Sequence, residues 1–297
     1  MDLTPDNEQQ SLVTATADWC RDNMPLEQAR NRDSELWQEL ETMGWLAMTS
    51  PDMGLDHATE ALVFAELGRH LAPVAMLSSG VASRWADHSG HTALALMDGK
   101  AARVFDLGKA KYALAASSDA VGIASLPSGI EAAPSLDQSA SLVRLDPAPA
   151  FTALRDPRSA LHMQLLAAAF AVGCSDAARD MAAEYAKLRE QFERPIGWFQ
   201  SLKHICSDMA VRCEVARSQL YFAACALDAA DNEAEFHVAS AKHLADNAAL
   251  ENGRANIQVH GGIGMTDEAY PHFCLKRAHL LAFISPAKRE ILLGKAV

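Results

Sequence analysis

No run of basic residues marks this chain, and no stretch of apolar residues is long enough to cross a bilayer. Lys and Arg total 26 against 38 Asp and Glu, a formal net charge of −12. A nucleic-acid-binding face needs clustered cations, so that class is excluded. The longest apolar stretch, around Leu161 to Cys174, is interrupted by His162, Gln164 and Gly173. It falls short of the roughly 20 apolar residues of a membrane span. The first residues, Met1 to Gln10, are polar and acidic, which is not the pattern of a secretory signal. Six cysteines in 297 residues are too sparse for a disulfide framework. There is no internal repeat and no low-complexity tail. With 49% hydrophobic and 22% charged residues, the composition is that of a globular chain with a sizeable core. The expectation is a soluble, cytoplasmic protein with neither nucleic acid nor membrane as partner. Composition says nothing about its chemistry.

Periodicity divides the chain in three. Ser11 to Asn23 reads as a helix with Leu12, Ala15 and Trp19 on one face. Ser34 can cap a second helix carrying Leu36, Trp37, Leu40 and Met43, closed by Gly44 in a left-handed conformation. A third runs from about Asp56 to His70, ended by Leu71-Ala72-Pro73, and another follows through Ser79 to Ala86. From Ala95 to Ala153 short apolar runs alternate with Gly, Pro, Ser and Asp. Candidate strands there are Ala102–Phe105, Tyr112–Ala116, Val121–Ala124 and Ser141–Leu145. Beyond 156 the chain turns helical again. Helices are expected over Leu161–Arg189, Phe199–Asp228 and Glu233–Gln258, with a last one at Lys288–Leu293. The fold class is therefore α+β, mostly α: an N-terminal helical domain (1–94), a short β domain (95–155) and a C-terminal antiparallel helical bundle (156–297).

Two segments stand out. The first is Arg189-Glu190-Gln191-Phe192-Glu193-Arg194-Pro195-Ile196, followed by Phe199-Gln200. As a plain helix connection, Pro195 breaks the helix, Gly197 eases the turn and Arg189 complements the helix dipole. As a binding element, the Arg189 guanidinium can clamp phosphate oxygens, Phe192 can flank a flat ring and Gln191 can hydrogen-bond at its edge. The second is Gln258-Val259-His260-Gly261-Gly262-Ile263-Gly264. It is either a helix C-cap with left-handed glycines or a place where backbone approaches a ligand closely. It does not follow a strand and open a helix, so it is not a dinucleotide-binding βαβ fingerprint, and it lacks the Lys-Ser/Thr of a phosphate loop.

Together, in this order and about seventy residues apart, the two resemble the C-terminal domain of the acyl-CoA dehydrogenases. The matching residues are Arg189, Phe192, Pro195, Ile196, Phe199 and Gln200, then Gln258, Gly261, Gly262 and Gly264, with Glu268 and Pro271 continuing the pattern. Leu36-Trp37 through Gly44-Trp45, the Pro51 loop, Phe64 to Arg69 and Leu71-Ala72-Pro73 look like the family's first helical domain. The resemblance implies a helical domain, a β domain and a four-helix domain. It implies FAD as cofactor, an acyl-CoA thioester as substrate, α,β-dehydrogenation as reaction and an electron-transfer flavoprotein as acceptor. Arg189, Gln191, Phe192, Gln200, Gln258, Gly261, Gly262 and Gly264 would be the FAD-binding residues.

The departures from the family matter as much. The Gly/Ser/Thr-rich loop that holds the flavin ring is missing, because Gly99-Lys100-Ala101 passes almost directly to Arg103-Val104-Phe105. The family's catalytic Glu falls near Ser285 or Pro286, or, in some members, near Met163; no carboxylate stands at any of them. Glu290 lies about a turn late, and His162 and His279 are the remaining candidate bases. In the family the ADP half of FAD reaches into the neighbouring subunit. This chain keeps the elements that receive it and lacks the ring pocket and the base. It therefore resembles the non-catalytic subunit of a two-gene α2β2 enzyme, paired with a homologous catalytic subunit. Some such enzymes act on steroid side-chain CoA thioesters. A homomeric enzyme with a displaced base and a flavin-free acyl-CoA- or protein-binding scaffold stay open. No metal site is expected: Cys206, Cys213 and Cys225 read as free thiols, and His237 and His243 point to different helix faces.

Overall fold

The computed structural model describes residues 4–30, 32, 35–117 and 120–294. Helix α1 (Asn7–Asn23) opens with a capping box, in which the Asp6 carboxylate accepts from the Gln9 backbone N–H and the Gln9 side chain accepts from that of Asp6. Its buried face is Gln9, Thr16 and Cys20, with Leu12 and Trp19 partly buried; Ala15 is exposed. The polar Thr16 takes the inner position because its hydroxyl donates to the Leu12 carbonyl one turn back. Helix α2 (Leu36–Thr42) is followed by Gly44 at φ 77°, the left-handed cap expected there. The expected cap at Ser34 lies outside the described residues. Helix α3 (His57–Arg69) is capped by Asp56, and α4 (Ala75–Trp85) begins earlier than its sequence signal.

The next segment builds a seven-stranded sheet of order β5-β6-β2-β1-β3-β4-β7. The strands are β1 (Ala93–Asp98), β2 (Ala101–Phe105), β3 (Tyr112–Ala116), β4 (Val121–Ser125), β5 (Ala133–Pro134), β6 (Ser141–Leu145) and β7 (Thr152–Ala153). Only β1 and β3 pair in parallel. Alternation decides which side faces what. Leu94, Phe105, Leu114 and Ala116 join the helical core. Ala93, Ala95, Ala102, Val104, Ala113 and Ala115 face a second, smaller core closed by Leu107, Val143 and Phe151. Strand β1 was not expected, because Ala-Leu-Ala-Leu-Met carries no β-branched residue.

The helical half consists of α5 (Arg158–Leu188), α6 (Gln200–Asp228), α7 (Ala234–His260) and α8 (Pro271–Phe283), with the short α9 (Arg289–Leu292) at the end. The α8 helix is an addition to the expected set; it starts at Pro271, which suits a first helical position. Helix α5 is the centre of the molecule, about 46 Å long at 1.5 Å per residue. Contrary to the expectation from its interruptions, this helix is by length and composition apolar enough to cross a membrane, but 94% of its apolar window is buried inside the protein, as in a core helix. Helix α3 crosses it where two glycines meet. A Cβ on Gly68 would lie 2.6 Å from the Phe170 Cα, and one on Gly173 would lie 1.8 Å from the Ala65 carbonyl oxygen. Phe64 and Phe170, both fully buried with ring centroids 5.7 Å apart, fill the space beside this crossing. N-terminal and C-terminal helices thus share one hydrophobic core. Arg277 of α8 ties the sheet in: it donates to Asp137 Oδ2 at 2.6 Å, the Ala72 carbonyl at 2.5 Å and Ser139 Oγ at 2.8 Å, itself 1% exposed.

Candidate functional site

At the far end of α5 the chain does not simply turn. Glu190–Gln191 (β8) and Arg194–Pro195 (β9) form a two-residue hairpin whose central residues, Phe192 and Glu193, have φ of 55° and 63°. Two positive φ values make the turn that matches strand twist, but Asn and Gly are its natural occupants. Phe and Glu there cost about 1–2 kcal/mol each. Phe192 is nevertheless 82% exposed and meets its own chain through an edge-on contact with the Phe199 ring, 6.0 Å between centroids. The base is held firmly: the Arg189 N–H donates to the Tyr185 carbonyl at 2.8 Å, and the Ile196 N–H to the Arg189 carbonyl at 2.7 Å. The Arg189 side chain is exposed and, among the described residues, makes no ion pair. Gly197 does not ease the turn; it lets the chain pass close to α5, where a Cβ would come 2.9 Å from the Ala186 carbonyl oxygen.

The glycine segment lies at the same end, because α5 and α7 both run toward it. The Tyr185 and His260 rings stack at 4.0 Å with planes 23° apart. Gly261 has φ 66°, a conformation that favours glycine. Around Gly262 an added Cβ would meet nothing within 4 Å, so no contact within this chain requires a glycine there. Gly264 differs: a Cβ would lie 2.9 Å from the His260 Cβ, so this glycine serves internal packing. Gln258 is exposed on the last turn of α7, and Gln200 is exposed at the start of α6. The Gln191 side chain folds back to donate to the Glu190 carbonyl at 2.7 Å. The residues singled out in the two motifs are thus brought to one end. What the sequence did not reveal was the Tyr185–His260 contact between them, which no local pattern encodes.

At the other end of α5 the polar groups at the expected base positions are engaged within the chain. Ser285 is fully buried at φ 45°; its carbonyl accepts from Gln164 Nε2 at 2.9 Å and its hydroxyl donates to the Ser117 carbonyl at 3.3 Å. Pro286 is exposed, Met163 is packed in the core, and Glu290 and His279 are exposed. In place of a loop rich in Gly, Ser and Thr, Gly99-Lys100 turns β1 directly into β2 in a tight hairpin. His162 has both nitrogens engaged: Trp85 Nε1–H donates to Nδ1 at 3.0 Å, so Nε2 carries the proton and donates to Glu60 Oε2 at 2.6 Å. His162 is therefore a buried structural group rather than a base facing substrate. Burial alone would raise the Glu60 carboxyl, but the neighbouring imidazoles His162 and His57 outweigh it and keep Glu60 ionised. His57 is close enough to complete a three-ligand cluster with them. A cation there would need the His162 Nε2 lone pair, and the Trp85 donor turns that nitrogen into a proton carrier. Among the described residues all six cysteines are free thiols, four of them buried, with Cys206 and Cys225 half-buried.

The fold is thus in three parts, helical, sheet and helical, with an arginine hairpin and a glycine turn at one end of its bundle. Residues 6–90 match the acyl-CoA dehydrogenase N-terminal domain and residues 158–284 its C-terminal domain. The acyl-CoA dehydrogenase IpdE2 of Mycobacterium tuberculosis (strain ATCC 25618 / H37Rv) is 31% identical over 318 aligned residues, covering 98% of this chain and 96% of that one. The chain belongs to the acyl-CoA dehydrogenase family. Two solved structures share the fold. The ChsE4-ChsE5 complex from Mycobacterium tuberculosis superposes with a TM-score of 0.70 at 22% identity, covering 95% of this chain and 94% of that one. The steroid acyl-CoA dehydrogenase Tcur3481-Tcur3483, as its G363A variant, gives 0.73 at 21% identity over 93% and 92%.

Proposed function

We propose that this chain is a subunit of an FAD-dependent acyl-CoA dehydrogenase and that it completes the ADP end of the cofactor site of a homologous catalytic partner. The observation that carries the reading is the bundle end. A strained, exposed Phe192 turn, an Arg189 without an ion pair among the described residues and a Gly262 that answers to no internal contact meet there. These residues fit FAD chemically: a guanidinium for diphosphate oxygens, an exposed ring for a flat heterocycle and a backbone free of Cβ for close approach. Arg189, Phe192, Gln258, Gly261 and Gly262 would hold it; Gln191 and Gln200 flank them. The bound flavin supplies the two-electron acceptor for removing hydrogens from the α and β carbons of an acyl-CoA thioester.

The opposite end of α5 supports a division of labour between subunits. Ser285 and Pro286 offer no group that takes a proton from carbon, and the side chain of Gln164 is spent on their carbonyls. The proton would be abstracted by the partner, in an α2β2 assembly, with an electron-transfer flavoprotein as acceptor. A bulky steroid side-chain thioester suits an enzyme with half its sites given up, and the steroid enzyme that shares the fold supports that choice. The test is to tag this chain, purify what accompanies it from the native host and record the visible spectrum and native mass. A yellow hetero-oligomer that loses flavin when Arg189→Ala is introduced agrees with the proposal. A yellow homo-oligomer reduced by acyl-CoA overturns it and directs attention to Glu290.

A further inference from the structure

We propose that His260 is a positioning residue: its stack on Tyr185 sets the glycine turn at a fixed distance from the arginine hairpin, so that both can grip one nucleotide. The inference rests on the cofactor reading above and adds to it a residue outside the binding motif's contacts.

The argument follows the backbone. Arg189 hangs from Tyr185, whose carbonyl accepts its N–H at 2.8 Å. Gly261 is covalently joined to His260. The two rings, 4.0 Å apart, are therefore the shortest bridge between the residue that holds the hairpin and the residue that precedes the turn. The His260 ring is itself oriented: Nδ1–H donates to the Asn256 carbonyl at 2.9 Å, one turn back on α7. Asn256 in turn donates to Met181 Sδ of α5 at 3.4 Å, so the last turn of α7 is tied to α5 twice. Neither ring belongs to the sealed core; both are half-buried. The helix ends at His260, where the Gly261 N–H caps the Ile257 and Gln258 carbonyls, and two glycines with the widest backbone freedom follow directly. Without the stack, the turn and the hairpin would sample independent positions, and a ligand needing both would bear the ordering cost.

The complex tagged on this chain and purified from the native host provides the test, with FAD as the probe. Flavin content and FAD release on dilution are compared for wild type, Arg189→Ala, His260→Leu, His260→Phe and Tyr185→Phe, alongside native mass and melting temperature. His260→Leu should weaken FAD binding by up to about tenfold, the worth of one stacked ring pair, with mass and melting temperature unchanged. His260→Phe and Tyr185→Phe keep the stack and should retain wild-type binding. If His260→Leu binds FAD normally while Arg189→Ala does not, the positioning role falls and the cofactor reading stands. If His260→Phe is as weak as His260→Leu, the stack is not the cause and the inference falls. If Arg189→Ala also binds normally, the cofactor reading falls and the inference with it.

Discussion

The two ends of α5 differ in what their polar groups do. At the first end His162, Gln164 and their neighbours Glu60, Trp85 and Ser285 spend their hydrogen bonds inside the chain, all but the half-buried Trp85 being buried. At the second, Arg189, Phe192, Gly261 and Gly262 are exposed, and the turn at Phe192–Glu193 carries backbone strain. A helix that is core throughout its middle thus has polar side chains engaged internally at one end and exposed at the other. The only ring contact that Phe192 makes among the described residues is edge-on with Phe199, at 6.0 Å between centroids.

Four changes break or sharpen this contrast. The largest effect should come from Arg277→Ala, which leaves Asp137 buried without its counter-ion and should cost about 3–5 kcal/mol, read as a shift in urea midpoint. Gly173→Ala forces a Cβ into the Ala65 carbonyl and should cost about 3 kcal/mol by the same measurement, with the bundle end unaffected. Acid should also act at His91, which stands just before β1 and stacks on Trp37. Burial holds the His91 imidazole down at about 4, against 6.5 for the free group, with Nε2–H donating to the Asp106 carbonyl. Between these values the unfolded chain takes up a proton that the folded chain does not, so stability should fall as pH drops from about 6.5 to 4, and Glu60, held at about 2, extends the loss to lower pH. Burial depresses His162 in the same direction. A denaturation series against pH should show this slope, and His91→Phe, which keeps a ring against Trp37, should flatten it. A flat wild-type profile would remove the His91 argument. The smallest effect has the opposite sign: Phe192→Gly should stabilise by about 1 kcal/mol by relieving the left-handed turn, while flavin content of the complex declines.

The same contrast explains what could be read in advance. Strands β3 and β6 and the long helices α6 and α7 follow from periodicity and from where Gly and Pro fall. Helix α8 escaped because Lys276-Arg277-Ala278-His279 looks amphipathic only once Arg277 is known to be buried. The buried Glu60–His162 pair joins residues far apart in sequence, and single residues in a helix carry no sign of such a partner. The motif segments stood out because their residue types recur at a fixed spacing, and the structure places them at one end of the bundle. Their mutual placement was not, since it depends on Tyr185 meeting His260 across 75 residues.

The Arg277 knot has a consequence for the order of assembly. Its partners lie at Ala72, Asp137 and Ser139, all made long before residue 277 leaves the ribosome. Until then Asp137 has no counter-ion, and α3 has its glycine seat only once α5 has emerged. Contacts of such long sequence separation close late and fold slowly. The nascent chain therefore exposes the apolar faces of α3, α4 and the sheet through most of its synthesis, and it should depend on chaperone cover for that interval.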